Sequence, residues 1–129
     1  MQGIRQIRKN GTVDLFAHYS TDGVPWIPNP VLPTGELQLL ANSEGANGRP
    51  YVFLVRFPPN ETRIAHSHHA DVLYIFTEGS NIVPGEGTYR AGEIRWVRAG
   101  HVYGPETTGP EGGAWWVISY GDPSVIPAE

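Results

Sequence analysis

The chain of 129 residues contains no cysteine. Disulfides and thiolate metal sites are therefore excluded together, and any metal would have to be held by His, carboxylate or Tyr. Cations are scarce as well: Lys and Arg total 9 against 13 Asp and Glu, for a net charge of -4. No basic run occurs, so neither a nucleic-acid footprint nor a hold on an anionic membrane is expected. Long apolar runs are missing too. Residues 114–120, Ala-Trp-Trp-Val-Ile-Ser-Tyr, are of strand length, far below the ~20 residues of a membrane helix. The opening Met-Gln-Gly-Ile-Arg-Gln-Ile-Arg-Lys carries charge with no apolar stretch behind it, unlike a secretory leader. A cytoplasmic protein is the expectation.

What is present points to strands. The 16 Gly and 12 Pro are spread along the whole chain, which leaves no room for a long helix. Short β-rich segments alternate with turn clusters, the pattern of a sandwich or barrel. The expected strands are 13–16, 37–40, 51–57, 64–68, 72–77, 93–97 and 114–120. Between them lie a loop at 43–50, a corner at Pro58-Pro-Asn60, and hairpin loops at 84–87 and 109–113. Residues 24–33 contain four prolines and read as an extended arm, since proline cannot donate to a ladder. One domain covers 1–129, with an arm at 1–34 and a barrel core at 35–121. Within 51–57 the one charge, Arg56, is expected to snorkel to solvent.

Of five histidines, three fall in Ala65-His-Ser-His-His69. In a strand, residues i and i+2 share a face, so His66 and His68 point one way and their rings can converge on one ion. Imidazole suits several transition metals and does not choose among them. A His-x-His pair can equally be a surface feature, and its neighbours decide.

Residues 60–79 resemble the first motif of the cupin family: Gly, five residues, His-x-His, three or four residues, Glu, six residues, Gly. His66, His68 and Gly79 fall in register, and Asn60 takes the first Gly position, where it tolerates positive φ. Residues 92–107 resemble the second motif through Gly92 and Gly100. Val24-Pro-Trp-Ile-Pro28 and Tyr103-Gly-Pro-Glu106 are similar to the small RmlC-like cupins related to acetylacetone-type dioxygenases and anti-sigma-factor cupins. The resemblance implies an all-β cupin double-stranded β-helix, a jelly-roll-like barrel. It departs at two ligand positions: Val72 stands where the motif has Glu, and Tyr103 where it has the second-motif His. His101 lies two residues before Tyr103, on the same face if the segment is extended.

Two catalytic readings follow. In the first, His66, His68 and His101 hold one divalent transition metal, iron(II) foremost, with zinc, nickel, manganese or copper as alternatives. The resemblance then implies a dioxygenase acting on a diketone- or enol-like substrate, with Tyr103 as a hydrogen-bond donor or itself a metal ligand and His69 assisting. In the second, no metal is needed, and His66 or His68 with Tyr103 form the base and acid of an isomerase, epimerase or cyclase. A non-catalytic ligand-binding module is the third reading. Asp71 could orient His69 or cap a turn but reads first as a solvated turn residue, Glu106 as a surface group near Arg98, His18 as structural or at a subunit contact, and Trp96, Trp115 and Trp116 as core or dimer packing. A small-molecule substrate and a homodimer are the expected partners.

Overall fold

The computed structural model describes residues 4–5, 16–30, 32, 34–44 and 49–128. The expected strand at 13–16 and the middle of the 43–50 loop lie largely outside them. Twelve strands make up the described chain: β1 (Ile4–Arg5), β2 (Ala17–His18), β3 (Ile27–Pro28), β4 (Glu36–Glu44), β5 (Tyr51–Phe57), β6 (Thr62–Arg63), β7 (His66–His68), β8 (Val72–Val83), β9 (Gly87–Arg90), β10 (Ile94–Val97), β11 (Glu106–Ser119) and β12 (Val125–Pro127). No helix occurs among the described residues, and none there is long and apolar enough to cross a membrane.

The main sheet runs β10-β8-β11-β5-β4-β3, with β6 also on β11 and β9 also on β8; β1 pairs β2, and β12 pairs β7. The proline-rich segment reaches the main sheet at β3. Ile27 and Pro28 lie along β4 opposite Leu37 and Glu36, at the sheet's edge, where a residue without an N–H does least harm. Arg56 also behaves as expected. It is exposed, paired with Glu36 at 2.8 Å, and stacked 3.8 Å over the Trp26 ring.

The 109–113 segment differs from expectation. It is no hairpin loop but the bulged middle of β11, where the register against β8 shifts between Thr108 and Gly113. Small residues are required there. A side chain at Gly79, with φ 62°, would meet the Gly112 carbonyl oxygen at 1.9 Å, so two backbones touch where β8 passes the bulge. At the neighbouring corner Asn60 adopts φ 55°, the left-handed conformation its place in the motif requires. The chain also continues past the expected barrel end at 121, because β12 adds itself to β7.

Cross-strand register sorts the side chains. Outward rows run Ile94–Ile75–Trp116–Leu54 and Trp96–Leu73–Ile118–Val52. Inward lie Val55, Val72, Phe76 and Trp115, each under 5% exposed. Full burial of such a side chain contributes ~1.5–3 kcal/mol over exposure, and the inward set holds the walls of the cavity in place.

Candidate functional site

Pleating brings alternate residues to the interior. Tyr51, Phe53, Val55 and Phe57 from β5, Val72, Tyr74 and Phe76 from β8, and Trp115 and Val117 from β11 enclose a cavity of about 380 Å³. His66 and His68 enter it from β7, as their i, i+2 spacing requires. Val72, in the place of the motif carboxylate, is 1% exposed and makes that wall apolar.

Each imidazole is fixed in one tautomer. The His66 Nδ1 lies 2.7 Å from the Ile64 carbonyl oxygen, and the His68 Nδ1 lies 3.1 Å and 3.2 Å from the carbonyls of Pro123 and Ser124. A carbonyl only accepts, so Nδ1 carries the proton in both rings and Nε2 presents a lone pair. Both lone pairs meet one hydroxyl: Tyr103 Oη is 3.1 Å from His66 Nε2 and 3.0 Å from His68 Nε2. The Tyr103 backbone is locked opposite His66 by reciprocal hydrogen bonds of 3.0 Å. Tyr74 Oη completes the group, 2.7 Å from Tyr103 Oη and 3.4 Å from His68 Nε2.

Burial favours the uncharged forms of His68, Tyr103 and Tyr74. It lowers the His68 pKa, aided by neighbouring His66. Burial pushes the Tyr103 phenol up to about 12, with the Glu106 charge adding to it. Tyr74 is held well above its ordinary value, again first by burial and then by Tyr103.

A second polar set lies beside the first. β6 and β11 pair Arg63 with Glu106, and both side chains are buried. The Arg63 guanidinium lies 3.5 Å from Glu106 Oε1 and donates to Asn81 Oδ1, while Asn81 Nδ2 donates to Glu106 Oε1 at 2.7 Å. Glu106 Oε2 stands 3.7 Å from His66 Nε2. Glu106 is therefore no surface group, because the β6 pairing turns it inward to Arg63.

His101 and His69 do not join the site. The His101 ring lies nearly parallel to Tyr103, with centroids 6.1 Å apart, but its side chain is 54% exposed and turned toward Glu86 at 3.9 Å. A turn in which the His101 N–H donates to the Arg98 carbonyl at 3.2 Å leaves it on the rim, and Tyr103 is the residue that faces the pair. His69 is exposed in the bend just past the end of β7. Asp71 accepts from the Ala99 N–H at 2.8 Å, capping that turn where a solvated residue is the first expectation.

The metal reading needs a third donor beside His66 and His68. His101 is outside, and Glu106 Oε1 is held by Arg63 and Asn81, with its Oε2 3.7 Å from His66 Nε2. Among the described residues no group of three or more His, Asp or Glu is placed to hold a metal ion. Among the described residues, His66 and His68 are therefore not joined by a third imidazole or carboxylate in a metal-holding group.

Six cavity residues that bear on the site were not singled out from sequence: Arg63, Tyr74, Asn81, Arg95, and Pro123 and Ser124 just before β12. Tyr74 had a signal, since it alternates with Val72 and Phe76. The others depend on pairings between distant segments, which no local pattern carries.

No family model and no curated protein matches the chain. Solved structures do. The polyketide cyclase RemF from Streptomyces resistomycificus superposes with a TM-score of 0.68 at 18% identity, over 89% of this chain and 87% of that one. An RmlC-like cupin from Ralstonia eutropha JMP134 gives 0.65 at 16% identity, over 85% and 71%. An acetylacetone dioxygenase from Acinetobacter johnsonii gives 0.62 at 18% identity, over 90% and 80%. At these identities the likeness concerns architecture, and with the strand order and the inward histidine pair it gives one conclusion: the chain has the cupin fold.

Proposed function

We propose that the chain is a small-molecule enzyme of the acid–base type, moving a proton at an enolisable carbon of a largely apolar carbonyl compound. A proton count supports this. Two imidazoles offer two Nε2 lone pairs, and two phenols offer two protons. The Tyr74–Tyr103 contact, at 2.7 Å, uses one phenol proton, which leaves one for two imidazoles. Whichever ring Tyr103 serves, the other keeps an open lone pair facing the cavity.

That open Nε2 is the base. It takes the proton from the substrate carbon, and the C–H electron pair moves into the carbonyl to give an enolate. Tyr103 turns its one proton from the second imidazole to the enolate oxygen, leaving that ring's Nε2 open as well. The imidazolium then returns the proton to the same or a neighbouring carbon, giving exchange or isomerisation. Alternatively the enolate carbon attacks a second carbonyl of the same molecule and the proton goes to the new alkoxide, closing a ring. The apolar walls exclude water from the enolate, and a neutral imidazole suits proton abstraction near pH 7.

The test uses 2-tetralone, an aromatic ketone with acidic C–H groups beside its carbonyl. In D2O, loss of its α-proton signal is followed by NMR. The wild type is expected to exchange these protons well above the rate in buffer containing equimolar imidazole, and the His66→Gln, His68→Gln double variant to fall back to that rate. Equal rates for wild type and double variant would sink the proposal.

A further inference from the structure

Transfer of a proton among His66, His68 and Tyr103 leaves one charged group of the cavity without a role. Arg95, on β10, is 4% exposed and lines the cavity. Its guanidinium carbon stands 4.3 Å from the Tyr103 ring centroid and 5.4 Å from that of Tyr74. One edge is taken: Nε and Nη2 donate to the two oxygens of Glu86 at 2.6 Å and 2.5 Å. This two-pronged contact fixes the guanidinium plane. The Tyr89 hydroxyl donates to the same carboxylate at 2.8 Å, and His101 flanks it from the rim. Two of the five N–H donors of Arg95 are used in the fork, and the others lie on the side of the Tyr103 and Tyr89 hydroxyls, with which the guanidinium also interacts.

The cavity's two cations are not equivalent. Arg63 is held by a buried carboxylate and a buried amide, so its charge is matched inside the protein. Arg95 is matched by Glu86, whose side chain is 25% exposed on the hairpin between β8 and β9. Water screens the carboxylate more than the buried guanidinium, so Arg95 stays a positive charge beside Tyr103, acting there against the negative charge of Glu106. The cation also lies beside the one hydroxyl that donates to a ligand oxygen.

We infer that Arg95 is the receptor for an acidic oxygen of the ligand, so that the cavity takes enolates and phenolates in preference to their neutral parents. This rests on the acid–base reading of the cavity and narrows its substrate class to compounds whose oxygen carries or develops negative charge. Glu86 is a positioning residue, acting through the plane it imposes on Arg95.

The test is equilibrium binding of 4-nitrophenol, whose yellow phenolate band reports its ionisation directly, with 4-nitroanisole as an analogue that cannot ionise. An opposite charge a few ångström away lowers the pKa of an acid by ~1–3 units, so the wild type is expected to bind the phenolate at least about tenfold more tightly than the phenol. It should likewise prefer the phenolate to 4-nitroanisole, a comparison that needs no variant. Arg95→Met should lose the preference while still binding 4-nitroanisole, and Arg95→Lys should restore part of it. Equal binding of both forms by the wild type, binding of neither, or a preference that survives in Arg95→Met would overturn the inference. Phenolate preference without 2-tetralone exchange would remove the catalytic reading and leave the anion receptor standing.

Discussion

Tyr103→Phe is expected to slow α-proton exchange in 2-tetralone by about 10²–10⁴-fold, the usual loss when a positioned acid or base is removed. The substitution keeps the ring, and with it the packing against His66 at 4.6 Å between centroids. It removes only the oxygen on which both imidazoles and Tyr74 converge. Losing these hydrogen bonds costs ~1–3 kcal/mol of stability at most, because both Nε2 atoms face a cavity that water can enter. Urea unfolding should therefore show a folded, somewhat weakened protein, while the exchange rate falls far more than stability does. A Tyr103→Phe variant that exchanges at the wild-type rate would remove the tyrosine from the chemistry.

Glu106→Leu is expected to destabilise the fold by ~3–5 kcal/mol, the usual consequence of leaving a buried partner charge unmatched. Arg63 and Glu106 have side-chain exposures of 2% and 8%. Burial already lowers the Arg63 pKa against the opposing pull of Glu106; without the carboxylate only the burial penalty remains. Asn81 loses its acceptor at the same time. The exposed pair Arg56–Glu36, with side-chain exposures of 45% and 46%, is the control: Glu36→Ala should cost ~0–1 kcal/mol, since water screens that pair. The double variant Arg63→Met, Glu106→Leu should recover most of the loss. Urea midpoints for the four proteins decide this. A Glu106→Leu midpoint no lower than that of Glu36→Ala would show that the buried set does not hold the cavity together.

The two segments that carry the histidine pair and the glycine-anchored turns were legible because their signals are local. Spacing of two residues put His66 and His68 on one face whatever the rest of the chain did, and Asn60 and Gly79 announced their conformations by residue type. What stayed hidden depends on pairing. In Ile94-Arg-Trp-Val97 the apolar pattern alone places Trp96 in the core; the register against β8 instead sends Ile94 and Trp96 outward, 60% and 52% exposed, and turns Arg95 into the cavity. Glu106 reads as a loop carboxylate until β6 is laid beside it. His101 and Tyr103 are two residues apart and compete for one place, which the turn at Arg98–His101 gives to Tyr103. The carbonyls that orient His68 come from residues 55 and 56 positions away, on a stretch with no motif of its own.

The arrangement stands or falls on where the two imidazole protons are. ¹⁵N NMR of the ring nitrogens of His66 and His68 at pH 7, assigned by comparison with His66→Gln and His68→Gln, measures this directly. The expected result is a protonated Nδ1 and an unprotonated, unliganded Nε2 in both rings, with both Nε2 resonances moving in Tyr103→Phe. A proton on Nε2 of either ring, with its Nδ1 bare, would contradict the account.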